Sequence, residues 1–223
     1  MMSPLRRRRL PWREPMPTFA TLTTFVVVVL GLFLIPGPAV LLTITRTVQG
    51  GRRAGIMTGM GIALGDLVHT LCAAVGLSAV LMTSALAFDV VKYVGAAYLI
   101  YLGIKALRER PSDPQLPVAP EVSPGRAFVQ AVATEVLNPK TALFFLAFMP
   151  QFVHASEGDV FAQFLGLGLV FVAMSALYTA AIALSVRPLG KVVRRFRGLL
   201  RWQGKIIGTI FIGLGLRVAM QQR

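Results

Sequence analysis

The chain has 223 residues, enough for one or two ordinary domains. Hydrophobic residues make up 55% of it and charged residues only 14%, against about 25% charged in typical soluble domains. With a mean hydropathy of +0.69, this excludes an ordinary soluble fold and points to an integral membrane protein. The formal charge of +14, from 23 Lys and Arg against 9 Asp and Glu, would suggest nucleic acid in a soluble chain. Basic residues collect in the cytoplasmic loops of membrane proteins, and no basic stripe runs through folded polar sequence here, so no nucleic-acid partner is expected.

In chain order, residues 1–15 are an Arg-rich extension, with Arg6 to Arg9 and Arg13. A membrane-spanning helix needs roughly 20 apolar residues. Phe19 to Thr45 is uncharged for 27 residues and is interrupted at Pro36-Gly37-Pro38. Ala54 to Thr83 is apolar except for Asp66 and His69, and Val90 to Leu107 is a third segment bounded by Lys92 and Lys105. Arg108 to Gly125 holds five prolines and no periodic pattern, which reads as a linker. Ala127 to Met149 is a fourth segment, carrying Glu135 and Lys140 and broken at Asn138-Pro139-Lys140. Val160 to Val186 is uncharged throughout. Ile206 to Leu216 lies between Lys205 and Arg217 and spans only if those side chains snorkel and the helix extends into Leu199–Met220.

Six spans are expected. Basic residues fall in alternate connections: Arg46, Arg52 and Arg53 in the first, Lys105, Arg108, Arg110 and Arg126 in the third, and seven in the fifth. The second and fourth connections have none. That places the first, third and fifth in the cytoplasm and both termini outside. The N-terminal arginines oppose this orientation. The expectation adopted is a chain starting at Met16. One alternative is a first segment that re-enters at its Pro break, leaving five crossings. A signal peptide is a third reading, opposed by the length of the apolar run and the lack of a small-residue cleavage site after it.

The linker divides the spans three plus three, giving a first repeat at 16–107, a linker at 108–125 and a second repeat at 126–223. The first helix of each half carries a break. The third elements, Gly95 to Lys105 and Gly208 to Arg217, are both short, Gly-containing and bounded by basic residues. An odd number of spans per repeat inverts the second copy. The fold expected is therefore an all-α integral membrane protein of two inverted three-helix repeats, with Pro-broken helices one and four. Such folds place a substrate site near the midplane, where the broken helices meet.

Proline removes a backbone donor and clashes with the carbonyl four residues earlier. The freed groups cannot face hydrocarbon and must face protein, water or a ligand. Half-helix N-termini suit a carboxylate and C-termini an ammonium, so two facing breaks match a zwitterion. The candidate substrate site is Pro36, Gly37, Pro38, Asp66, Asn138, Pro139 and Lys140. Asp66 lies mid-span and has two open readings: an ammonium- or proton-binding carboxylate, or a packing residue paired with Lys140 or a Thr hydroxyl. Gly61 and Gly65 make a small-xxx-small face beside it. His69, one turn on, is expected as a hydrogen-bonded partner. Glu135 is a second proton-coupling candidate, flanking the break opposite Lys140, where acid and base would neutralise each other. Cys72 is the only cysteine and His154 lies in an outer loop, so neither a disulfide, a metal site nor a cofactor is expected.

Leu34-Ile35-Pro36-Gly37-Pro38, the series Gly55, Gly59, Gly61, Gly65 followed by Asp66, the stretch Gly95 to Gly103, and Asn138-Pro139-Lys140 followed by Phe144-Phe145 and Pro150-Gln151-Phe152 resemble the LysE/RhtB family of amino-acid exporters. The resemblance runs from about Met16 to the C-terminus. It implies proton-driven efflux of an amino acid or derivative across the bacterial cytoplasmic membrane, with no enzymatic activity, and assigns Lys140 a place in the family motif. It leaves the substrate open. The remaining readings are a metal-ion exporter with three-span repeats, a membrane hydrolase built on Asp66 and His69, and a membrane protein with no transport role. Gly204-Lys-Ile-Ile-Gly208 is a GxxxG match, for a contact within the protomer or at a homodimer interface.

Overall fold

The structure is a computed structural model and describes residues 19–35, 37–83, 85–108, 122–195 and scattered positions between 205 and 220. The Arg-rich extension, Pro36, Gly204 and linker residues 109–121 lie outside the described residues. Among the described residues there is no strand. The helices are α1 (Phe19–Leu34), α2 (Pro38–Thr83), α3 (Ala85–Arg108), α4 (Pro124–Val136), α5 (Pro139–Ala147) and α6 (Val160–Arg195), with two 3-10 turns at Met149–Phe152 and Ala155–Glu157.

Helix α1 contains the β-branched run Val26 to Val29, a poor helix former in water. In lipid the backbone must bond to itself, which overrides that preference. Thr23 and Thr24 donate back to the carbonyls of Phe19 and Ala20 at 2.8 and 2.9 Å, so their hydroxyls are also satisfied. The helix stops at Leu34 because Pro38, four residues on, has no N–H to give it. A new helix starts at Pro38.

At about 1.5 Å per residue, α2 as one rod would far exceed the hydrocarbon thickness, roughly 30 Å. It is not one rod. Gly51, at φ 72° and ψ −172°, breaks it, in a region essentially open to glycine alone. A Cβ on Gly55 would fall on the Thr47 side chain, a contact that a straight helix forbids across two turns. The chain therefore folds back at Gly51 into two arms, 38–50 and 52–83. The first connection, expected as a loop holding Arg46, Arg52 and Arg53, is this sharp corner. The second connection is likewise tighter than expected: α2 ends at Thr83 and α3 begins at Ala85, so Asp89 is helical. The fifth segment continues to Arg195, past the expected end at Val186.

Around a buried apolar core, large apolar side chains also face outward while several polar ones are buried. Val27, Leu41, Val75, Leu177 and Leu137 are exposed, whereas Thr43, Asp66, Glu135, Asn138, Gln163 and Ser175 are buried. That is the distribution for a protein whose outer solvent is lipid. Among the described residues, Val160–Ser185 is long and apolar enough to cross a membrane, and so by length and composition is Pro38–Val80, which holds the corner at Gly51. A third candidate is the pair Pro124–Val136 and Pro139–Phe152, bent by 46°.

Helix α2 packs on α4 and α6, and α3 on α5. The glycines make these approaches close. A Cβ on Gly61 would lie 2.4 Å from the Phe128 carbonyl oxygen, and one on Gly65 2.6 Å from the Glu135 Cβ; the small-xxx-small face of α2 is thus the surface that α4 covers. The second arm of α2 runs antiparallel to α6, with Gly55 against Ala183, Gly59 against Thr179 and Thr70 against Gly168. The described residues between 205 and 220 are helical and pack on α3, with Gly208 on Gly103 and Gly215 on Ala96. Gly208 of the GxxxG match is therefore spent on a contact within the chain. An aromatic cluster ties α1, α5 and α6 together: Phe25 meets Phe144 and Phe152, and Phe171 meets Phe33, Phe144 and Phe145.

Candidate functional site

The second break is built from a capped helix start. Asn138 is the N-cap of α5, its Oδ1 accepting from the Lys140 N–H at 3.1 Å, and Pro139 opens the helix where no donor is needed. Its Nδ2 turns the other way and donates to both carboxylate oxygens of Glu135, each at 3.2 Å. Thr141 adds a hydroxyl to Glu135 Oε1 at 2.5 Å. Glu135, Asn138 and Thr141 are all buried, so a carboxyl in the interior is held by two neutral donors from the next helix.

The carbonyl of Glu135, at the end of α4, takes two donors: the Asn138 N–H at 3.0 Å and His69 Nε2 at 2.9 Å. A carbonyl can only accept, so Nε2 carries the proton. The His69 ring also stacks on Phe145 at 5.8 Å. This bears out the expectation of a hydrogen-bonded histidine, and its partner is backbone.

The first break is answered from the other half of the chain. Lys140 Nζ donates to the carbonyls of Leu32 and Ile35, both at 2.8 Å. A helix C-terminus carries partial negative charge, and the ammonium supplies both charge and donors. The neutralisation expected between Glu135 and Lys140 is thus divided: Glu135 is bonded by Asn138 and Thr141, and Lys140 reaches over to α1. Gly37 leaves room for this crossing, since a Cβ there would lie 3.4 Å from Lys140 Cδ.

Asp66 is 1% exposed. Its carboxyl faces Glu135 and Ser175, and Oδ2 is buried without a hydrogen-bond partner. The Thr hydroxyl one turn on, that of Thr70, donates to the Asp66 backbone carbonyl at 2.9 Å and not to its carboxyl. A cavity of about 40 Å³ brings Gly37, Asp66, Glu135, Asn138 and Lys140 to one place, closed on its apolar side by Phe33, Val40, Ile62 and Phe171. Pro38 and Pro139 are not in its wall; they start the helices that carry it. Thr141, Ser175 and Thr179 line it too and were not foreseen. Thr141 was within reach of the motif, one residue after Lys140. Ser175 had a subtler signal: Thr70 follows Asp66 by one turn in α2, and Thr179 follows Ser175 by one turn in α6, with matching bonds at 2.9 and 2.8 Å.

A buried carboxylate pair, a lysine on a helix break and an apolar wall around a small cavity fit the interior of a membrane transporter. The family profile of the LysE type translocators matches residues 30–222, and the chain belongs to that family. It is a transport protein and not an enzyme, and at family level an amino-acid exporter. It is 32% identical to an uncharacterized membrane protein of Pseudomonas aeruginosa over 201 residues, 88% of this chain and 93% of the relative. An uncharacterized membrane protein of Vibrio cholerae is 31% identical over 186 residues, 83% and 90% of the two chains. The leucine efflux protein of Salmonella typhimurium is 28% identical over 200 residues, 89% of this chain and 94% of the relative. No solved structure matches the chain.

Proposed function

We propose that this protein exports a small aliphatic amino acid across the bacterial cytoplasmic membrane in exchange for protons. The observation that carries the reading is the meeting of both helix breaks at one cavity, beside a buried carboxylate with an unpartnered oxygen. Asp66 Oδ2 takes the substrate ammonium, and Lys140 with the N-terminus of α5 compensates the carboxylate. Both charges need an answer once water is removed. The side chain lies against Phe33, Val40, Ile62 and Phe171. The apolarity of that wall, and the leucine efflux proteins among the relatives, support an aliphatic side chain over a charged one.

Asp66 and Glu135 form the proton-carrying pair, exchanging one proton when the ammonium arrives or leaves. The cavity has room for about three water molecules at roughly 10–15 Å³ each, so loading requires the walls to part. The motion fits two inverted three-helix halves, with six spans in all, rocking about the site. What supports the inversion is the reciprocity of the antiparallel contacts: Gly59 meets Thr179 as Gly168 meets Thr70. Matching Gly59 with Gly168 and Thr70 with Thr179 makes Ser175 the counterpart of Asp66.

The test is expression in a bacterial host challenged with toxic analogues of aliphatic, hydroxylated and cationic amino acids. Resistance confined to the aliphatic analogues, with a fall in the cell's leucine or valine, is the expected result. Resistance to none of them would reject the export reading, and resistance to cationic analogues alone would reject the substrate class.

A further inference from the structure

Lys140 does something at the first break that a substrate-binding role does not require. Its ammonium bonds to two carbonyls, Leu32 O and Ile35 O, at the end of a helix 105 residues or more away in sequence. Both distances, 2.8 Å, are those of charge-assisted N–H···O bonds. Leu32 O accepts the Ile35 N–H in a long bond of 3.3 Å; its regular helical donor would be residue 36, a proline without an N–H, and Ile35 lies past the end of α1, so the ammonium adds donors where the helix end is short of them. Gly37 keeps the passage open, its missing Cβ lying 3.4 Å from Cδ and 3.5 Å from Nζ. Asn138 fixes the start of α5, so the lysine backbone is held by the Asn138 cap while its tip is held by α1.

We propose that the carbonyl end of α1 is a primary-ammonium site, filled by Lys140 as a tethered ligand that locks the first helix break to the second. Two carbonyls are too few for a hard metal cation, which gathers six or more oxygens, and they suit a donor whose N–H bonds are directional. Lys140 is thus a positioning residue for α1: in the closed cavity one side chain joins the two breaks, and it lets go of Leu32 and Ile35 when the halves part. The inference rests on these contacts and not on which substrate is moved.

The test uses full-length protein with Lys140→Ala, purified in detergent without substrate. That variant keeps Cβ and lacks three methylenes and the ammonium, the dimensions of n-propylammonium. The thermal midpoint is followed against n-propylammonium chloride and, at equal ionic strength, tetramethylammonium chloride, which has the charge but no N–H. The expected result is a saturable rise of several degrees with propylammonium only, in the variant only. Lys140→Met, which keeps an unbranched stem as far as Cε and loses the ammonium, melts below wild type and does not respond. Equal response to both salts, a wild-type response, or a Lys140→Met protein as stable as wild type would overturn the proposal. If Lys140→Ala does not survive extraction, folded protein recovered from membranes solubilised with each salt is measured instead. Propylammonium-dependent recovery supports the site, and equal loss with both salts overturns it. Because no substrate is present, failure here leaves the export assay's outcome untouched.

Discussion

Gly65→Ala puts a methyl group between the two carboxyl-bearing helices. An ideal Cβ at Gly65 would lie 2.6 Å from Glu135 Cβ, 3.0 Å from its Cγ and 3.2 Å from the Val136 nitrogen. Carbon pairs rest at about 3.5–4.0 Å, so α4 must move off α2 by about 1 Å. Two of those three contacts are a Cβ and a backbone nitrogen, which cannot swing aside as a side-chain tip can. Overpacking of this kind costs about 1–3 kcal/mol, offset by the helix-propensity gain of Ala over Gly, about 1 kcal/mol at most. Gly166→Ala in α6 is the control, because a Cβ there meets nothing within 4 Å and only the propensity gain applies. The two variants should differ by about 2 kcal/mol, roughly thirtyfold in the folding equilibrium. The displacement also carries Glu135 away from Asp66, so export should fall at least tenfold in Gly65→Ala and stay near wild type in Gly166→Ala. Denaturant unfolding in detergent reads the first effect and amino-acid efflux the second. Equal stability and equal efflux in the two variants would refute the close approach of α2 and α4.

Asp66→Asn should slow export and flatten its pH dependence, since the amide cannot carry a proton; unchanged pH dependence would reduce Asp66 to a packing residue. Asn138→Leu removes the cap of α5 and the amide's two hydrogen bonds to Glu135, leaving Thr141 as its donor, and should cost about 2–4 kcal/mol from the lost cap and the desolvated carboxyl, read as a lower unfolding midpoint. In a Cys72→Ser background, a cysteine at Ser156 should label from outside the cell and one at Ser112 should not; the reverse pattern would reject the proposed orientation.

The breaks were legible because proline leaves a chemical signature: Pro38 and Pro139 each start a helix where the residue pattern required one. So was the glycine face, since Gly61 and Gly65 stand one turn apart on one side of α2 and meet α4 as that spacing implies. The partners of charged groups were not legible. Lys140 lies five residues from Glu135, yet its long side chain reaches α1 and not the nearby acid, a choice set by the carbonyl end of a distant helix. The corner at Gly51 was hidden because the Gly50-Gly51 pair sits among basic residues that read as a loop, whereas one glycine in a rare backbone conformation turns the chain without a loop. Ser175 was missed because a serine in an apolar helix carries no signal by itself, and only the folded chain brings it to the cavity beside Asp66.

Efflux of labelled leucine from proteoliposomes, with an inward proton gradient imposed and wild type compared with Asp66→Asn and Glu135→Gln, tests most directly the claim that the two breaks enclose the transport site. Gradient-stimulated efflux by wild type, lost in both variants while their folded yield is unchanged, is the predicted result. Gradient-stimulated efflux that persists at the wild-type rate in folded Asp66→Asn and Glu135→Gln would contradict it.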